Sequence, residues 1–314
     1  MLILFAVTVL PAPIPSAAGP SLAEPRLVEV SGVAHHDGTL YFVGDHEGSA
    51  RAWFTSSDFG SEPGEHVLGE ARLVRIEMSA NEKHARQLED IALAGETVLV
   101  LSESSGRILD RKGTLVELPA AMKEVKVDGT SVGPEGLASR DDGDGWRLVV
   151  AQQGGKGQPV RLLEHYLSGR ALEERWRVEL RGAVPVEVSQ ERLAAHFAAT
   201  LPDERPIETG RKHHYVRVPG IEWIRLPDRS WGYIVIAAVR RGKDDRRPYL
   251  LRLGSDGSPV GTPLDLEAFG IGSRRWEGLC WIGERTVLLV ADNDDRGPTF
   301  TAILELPSDW FGPR

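Results

Sequence analysis

Cysteine is almost missing from this chain. Cys280 is the one cysteine in 314 residues, so no intrachain disulfide and no thiolate zinc cluster can form. It lies inside an apolar run, where a buried structural thiol is expected rather than a nucleophile. No apolar run reaches the roughly 20 residues that a membrane-spanning helix requires. A basic excess is also missing. The net charge is −9 and the pI about 5.6. Nothing therefore neutralises phosphates broadly, which excludes a duplex nucleic-acid binder. Sustained 3.6-residue apolar stripes are missing too, and with them the helical-repeat folds. "DNDDRG" at 292–297 lacks the ligand ladder and terminal Glu of an EF-hand loop.

The N-terminus opens on an apolar stretch. Leu2 to Leu10 is followed by a Pro- and Ala-rich segment with small residues near Ala18 and Ala23. This is the pattern of a secretory leader over residues 1–23, although no Lys or Arg precedes the apolar run. The alternative is a first buried strand. The leader reading predicts a periplasmic or secreted protein with no transmembrane segment after cleavage, acting as a monomer.

Five segments repeat one plan. They are "VSGVAHHDGTLYFVGDHEG" from Val30, "LEDIALAGETVLVLSESSGRI" from Leu88, "PEGLASRDDGDGWRLVVAQQGG" from Pro134, "GIEWIRLPDRSWGYIVIAAVRRG" from Gly220 and "WEGLCWIGERTVLLVADNDDRG" from Trp276. Each begins with a small or acidic residue beside Gly or another small residue. A short apolar strand, a polar turn, a second apolar strand and a polar patch follow. "TVLVLS", "RLVVAQ", "YIVIAAV" and "TVLLVAD" are almost continuously apolar, so both faces should be buried. Third and fourth strands follow most patches, as in "YLLRLGSDG" and "TLVELP". Four antiparallel strands per repeat predict an all-β fold, a β-propeller filling residues 26–314 as one domain.

The interval from Pro134 to Gly220 is the longest. It leaves room for a degenerate sixth blade or a helical insertion, and six blades are expected with five visible. "SQERLAAHFAATL" is the helix candidate around residues 189–201, with Ser189 as its cap. The last repeat is short, and "RLVEV" at 26–30 is the expected strand to complete it.

In a propeller the first strand of a blade starts at the rim to which the second returns. The acids that open the first strands, Glu89, Glu135, Glu222 and Glu277, should meet those that close the second, Asp45, Glu103 and Asp292. Carboxylates converging on one channel repel, so either their pKa values rise or a cation sits among them. Oxygen ligands suit Ca²⁺, with Mg²⁺ and Mn²⁺ as alternatives. Asp45, Glu89, Glu135, Glu277 and Asp292 form the candidate metal set. Each Glu has an alternative role, accepting backbone N–H bonds from its own turn.

"LEDIA…VLSESSGRI", "PEGLA" and "WEGL…ADND" together resemble the phytase-like domain, also called the esterase-like activity of phytase domain. The chain is also similar there to the SdiA-regulated proteins and to uncharacterised propeller families. The resemblance covers most of residues 26–306. It implies a propeller, often exported, with metal-dependent hydrolysis of phosphoesters or esters. The dense Asp-rich and Asn-Asn motifs of alkaline propeller phytases do not occur. The fourth repeat departs from the pattern, placing Arg240 and Arg241 where others have acids or amides.

Two functions follow. In the first, the protein is a metal-dependent hydrolase of a small anionic ester or phosphoester. The cation polarises the substrate, His46 acts as general base, and Arg240, with Arg241 and Arg107, contacts the anion. In the second, it is a non-catalytic propeller of the cell envelope holding a structural cation. The pairs His35–His36 and His213–His214 alternate across strand faces and make no ready metal site. No Ser is evidently placed with His and Asp for an acyl-enzyme.

Overall fold

The computed structural model describes residues 7–9, 30–44, 52–56, 74–76, 87–127, 130–168, 177–179, 184–272, 274–292 and 300–311. Strand β1 (Val7–Val9) comes first. Blade one is β2 (Val30–His36), β3 (Thr39–Gly44), β4 (Ala52–Ser56) and β5 (Val74–Ile76). Blade two is β6 (Leu88–Ala94), β7 (Thr97–Ser102), β8 (Arg107–Asp110) and β9 (Gly113–Glu117). A two-stranded ribbon follows, β10 (Val125–Val127) with β11 (Thr130–Val132). Blade three is β12 (Pro134–Asp141), β13 (Gly145–Gln152), β14 (Val160–Ser168) and β15 (Arg177–Glu179). An extra strand, β16 (Val186–Val188), also pairs with β14.

Helix α1 (Gln190–Thr200) leads to blade four: β17 (His214–Arg225), β18 (Trp231–Arg241), β19 (Arg246–Gly254) and β20 (Pro259–Asp265). Blade five is β21 (Arg275–Trp281), β22 (Thr286–Asp292) and β23 (Phe300–Glu305), completed by β1. Neighbouring strands in every blade are antiparallel and in sequence order, with β1 outermost in blade five.

The five innermost strands close a ring. β2 packs on β6, β6 on β12, β12 on β17, β17 on β21, and β21 back on β2. Five separate apolar clusters fill the five gaps between blades. The near-continuous apolar second strands explain this arrangement. Leu99 and Leu101 face one neighbouring blade while Val98 and Val100 face the other, and all four are buried. Each such side chain contributes about 1.5–3 kcal/mol of burial.

The expected sixth blade does not form among the described residues. Every gap in the ring is already filled, and the long interval supplies β16 and α1 instead. Ser189 caps α1 as its sequence predicts, accepting from Arg192 N at 3.2 Å. Leu193 and Phe197 then anchor the helix in the apolar gap between blades three and four. Blade five is completed by Val7–Val9, which lies within the stretch read as a leader or a first strand. Val30 of "RLVEV" belongs to β2, and residues 26–29 fall outside the described part. Among the described residues no helix is long and apolar enough to cross a membrane.

Candidate functional site at the channel rim

The repeated acids owe their position to a bulge. In each inner hairpin the register slips at the same level. The slips fall between Val30 and Gly32, Leu88 and Asp90, Pro134 and Gly136, Arg217 and Gly220, and Trp276 and Gly278. The residues set out of register are Ser31, Glu89, Glu135, the pair Val218–Pro219, and Glu277. A bulge re-aims its side chain away from the sheet's normal alternation. Three glutamates are thus gathered at one level of the ring.

The next residue in each strand is where neighbouring blades touch. A Cβ on Gly220 would lie 2.3 Å from the carbonyl oxygen of Glu277. One on Gly32 would lie 2.5 Å from Cα of Asp90, and one on Gly278 3.0 Å from Val33 N. The ring tolerates only glycine at these points. Blade two is the exception and carries Asp90. Its carboxylate accepts Ile91 N at 2.8 Å and Leu137 N of blade three at 2.7 Å. Asp90 is buried, and burial raises its pKa far above the usual carboxylate range.

Glu222 corresponds to none of the bulge acids. Gly220 is the counterpart of Gly136 and Gly278, so Glu222 lies two residues further along its strand. It accepts Trp223 N at 2.8 Å, and burial pushes its pKa to about 8. Cys280 packs between blades five and one. Burial, then Glu222 and Asp90, raise its pKa well above normal. It is the inert thiol that its apolar context predicts.

Above the glycines lies a mixed cluster. Arg217 Nη2 grips both oxygens of Glu135, at 2.7 and 2.9 Å. Burial disfavours the charge on Arg217, but attraction to Glu135 and Glu277 outweighs it and raises the pKa. Burial pushes Glu135 up, and Arg217 pulls it partly back. Glu277 is raised by burial and then by Glu135 and Asp292, with only partial relief from Arg217 and Arg246. Arg246 falls to about 10 through burial and the repulsion of Arg217, Arg240 and Arg275, against the attraction of Glu277. Arg275 is paired with Asp292 at 3.4 Å.

Arg240 and Arg246 are registered opposite one another on β18 and β19. Like charges directly opposite on a sheet are destabilising. Tyr215, opposite Arg240 on β17, lies beneath its guanidinium at 5.7 Å from the ring centre.

Of the residues expected from sequence, Glu135, Glu277, Asp292 and Arg240 meet in this cluster. Glu89 occupies the equivalent bulge of blade two. Asp45 and His46 lie outside the described residues. Arg107 is on β8, 3.7 Å from Glu117. Among the described residues no three His, Cys, Asp or Glu side chains are grouped to hold a metal. Glu135, committed to Arg217 through both oxygens, does not fit a ligand role.

The sequence reading overlooked Arg217 and Arg246. It also overlooked a Gly-x-Ser-x-Gly spacing, "GTSVG" at 129–133. A nucleophile elbow requires a strand, a sharp turn and a helix. Ser131 instead lies in the ribbon strand β11, and its Oγ donates to the Glu124 carboxylate.

The fold and the rim define a class: a five-bladed propeller with a partly buried arginine–carboxylate cluster at one mouth of its channel. No protein-family model matches the chain, and no curated protein matches it.

Proposed function

We propose that the rim cluster binds a small anionic ester or phosphoester and hydrolyses it. The observation that carries this reading is the opposed pair Arg240 and Arg246, held beside Arg217 and Arg275 in a partly desolvated setting. The attraction of Glu277 offsets part of the cost of such a pair, and a bound anion would offset more. Glu277 is the proton donor of this reading, because its raised pKa keeps the carboxyl protonated near neutral pH. Water adds to the carbonyl or phosphoryl centre, and the bond to the leaving oxygen breaks. That oxygen takes the proton of Glu277, and Asp292 takes the proton of the attacking water.

The test is turnover on p-nitrophenyl phosphate, p-nitrophenyl acetate and simple lactones, together with sulfate binding. Hydrolysis by the wild type, lost in Glu277→Gln and in Arg240→Met, is the expected result. Sulfate binding with no turnover on any substrate leaves the binding propeller of the cell envelope. Neither binding nor turnover overturns the site.

A second reading places a divalent cation, Ca²⁺ or else Mg²⁺ or Mn²⁺, at the same mouth. The mutual repulsion of Glu277 and Asp292 favours it, with Asp45 as a further ligand. On that reading EDTA lowers the melting temperature and added Ca²⁺ restores it. The kinship with phytase-like propellers belongs to the same proposal. So does export, and cleavage near Ala18 or Ala23 would remove β1 and leave blade five with three strands; the intact mass of the purified protein decides between a cleaved leader and a retained strand.

A further inference from the structure

The tip of the β18–β19 hairpin carries two Arg–Arg pairs, Arg240–Arg241 and Arg246–Arg247. Strand alternation divides them. Arg240 and Arg246 face the rim cluster, while Arg241 and Arg247 face the segment that follows α1. Arg241 is only 2% exposed, and its Nη1 lies 3.6 Å from Glu204 Oε2. Arg247 Nη1 donates to the other oxygen of Glu204. Next to it, Arg205 Nη2 donates to the carbonyl oxygen of Arg241 at 2.5 Å, and Arg205 Nη1 is 3.5 Å from Asp245. Two consecutive residues of the insertion thus grip both strands of the hairpin and its turn.

The grip has firm footing. Gln190 of α1 donates to Val216 O at 3.1 Å and accepts from Val216 N at 2.8 Å, fixing the helix to β17. Phe197 packs edge-on against Tyr249 of β19, 5.1 Å between centres. Glu204 N donates to Leu201 O at 3.0 Å, holding the turn directly after the helix. The insertion is therefore seated on blade four before it reaches the hairpin tip.

The tip needs holding, because it carries Arg240 and Arg246 at paired positions of adjacent strands. We infer that Glu204 is a positioning residue for the rim site: it clamps Arg241 and Arg247 from behind so that Arg240 and Arg246 stay registered toward an anion. This rests on the anion-binding reading above. A displacement of about 1 Å at such a site is enough to cost one to two orders of magnitude.

The experiment is sulfate titration by calorimetry, well below each variant's melting temperature. Glu204→Gln is expected to weaken sulfate binding about tenfold and to speed amide exchange at residues 240–246. Glu267→Gln is the control. It removes a different carboxylate from Arg247, at 3.0 Å from Nε, without touching Arg241, and should leave affinity within about twofold. Arg205→Ala, at an exposed position, repeats the test if Glu204→Gln folds poorly, and should weaken binding in the same direction. Unchanged sulfate affinity in folded Glu204→Gln or Arg205→Ala overturns the inference. In that case the site itself survives, provided Arg240→Met abolishes binding. A wild type that binds no sulfate overturns both together.

Discussion

Arginines gather at both ends of the channel, in opposite circumstances. At the face opposite the rim, Arg140 lies between two indoles, 4.6 Å from the Trp223 ring and 4.5 Å from the Trp231 ring. Asp142 accepts from Arg140 and from Arg147, each at 2.7 Å. These two guanidiniums outweigh the desolvation of Asp142 and hold its carboxyl below the usual range. Arg140, Asp142 and Arg147 answer one another there, and the stacking of Arg140 on Trp223 and Trp231 fastens blade three to blade four. At the rim, Arg240 and Arg246 oppose one another and Glu277 is crowded by Glu135 and Asp292. The same residue type serves as a fastener where its partners match it. Where they conflict, it marks a place built for something else.

The largest expected effect lies at the rim. Arg217→Met removes the main counter-ion of Glu135 and should cost about 3–5 kcal/mol in urea denaturation, because it leaves a buried carboxylate with only Gln153 and Arg246 to answer it. Arg140→Met at the opposite face should cost less, about 1–3 kcal/mol, for two cation–π contacts and a part-exposed ion pair. If the two losses are equal, the contrast between the ends fails.

The pH dependence of stability separates the rim from the blade interiors. Glu277 and Glu222 have raised pKa values in the fold, so the folded protein holds more protons than the unfolded chain above pH 4.5. Their contribution is complete below about pH 4.5 and is lost as pH rises toward about 8. His165, buried between blades two and three with neither ring nitrogen hydrogen-bonded, has its pKa lowered from 6.5 to about 4 by burial. Here the unfolded chain holds more protons, so stability falls as pH drops from 6.5 to 4, by about 3 kcal/mol. The two windows overlap between about pH 4.5 and 6.5, where two carboxyls outweigh one imidazole, so melting temperature should fall from about pH 4.5 to about pH 8. His165→Leu should steepen that fall below pH 6.5, and Glu277→Gln should make it shallower throughout.

Smallest in energy, but opposite in sign, is Arg240→Met. Relieving the opposed pair should stabilise the protein by about 0.2–1 kcal/mol while abolishing sulfate binding. A stabilised variant that still binds sulfate would show that the conflict at the rim serves nothing. Wild-type sulfate affinity should also rise as pH falls from 9 to 6, as Glu277 loses its negative charge. Glu277→Gln should remove that dependence.

The strands were legible because buried second strands such as "TVLLVAD" leave no other use for so many adjacent apolar residues. Helix α1 was legible from Ser189 and the spacing of Leu193 and Phe197. The blade count was not, since an interval long enough for a blade says nothing about whether the ring has a gap to admit one. Glu222 was misassigned because the eye follows the repeated glutamate. Packing follows the glycine, which must sit where two backbones meet, and at "PGIE" that residue is Gly220. Arg217 and Arg246 reach the site across blades, beyond the range of any local pattern. One signal for Arg246 was nonetheless present. "VRRGKDDRRP" folds back as a hairpin, and alternation then puts Arg240 and Arg246 on one face.

The pairing of β1 with β23 joins Val7 to Ala302, positions almost a whole chain apart. Loop closure over that span is slow and entropically costly. Blades one to four are built from contiguous stretches and can assemble as synthesis proceeds. Blade five must wait until its own last strand has emerged. The ring is thus expected to close last at the gap between blades five and one, beside Glu277, so the completed rim is a late product of folding.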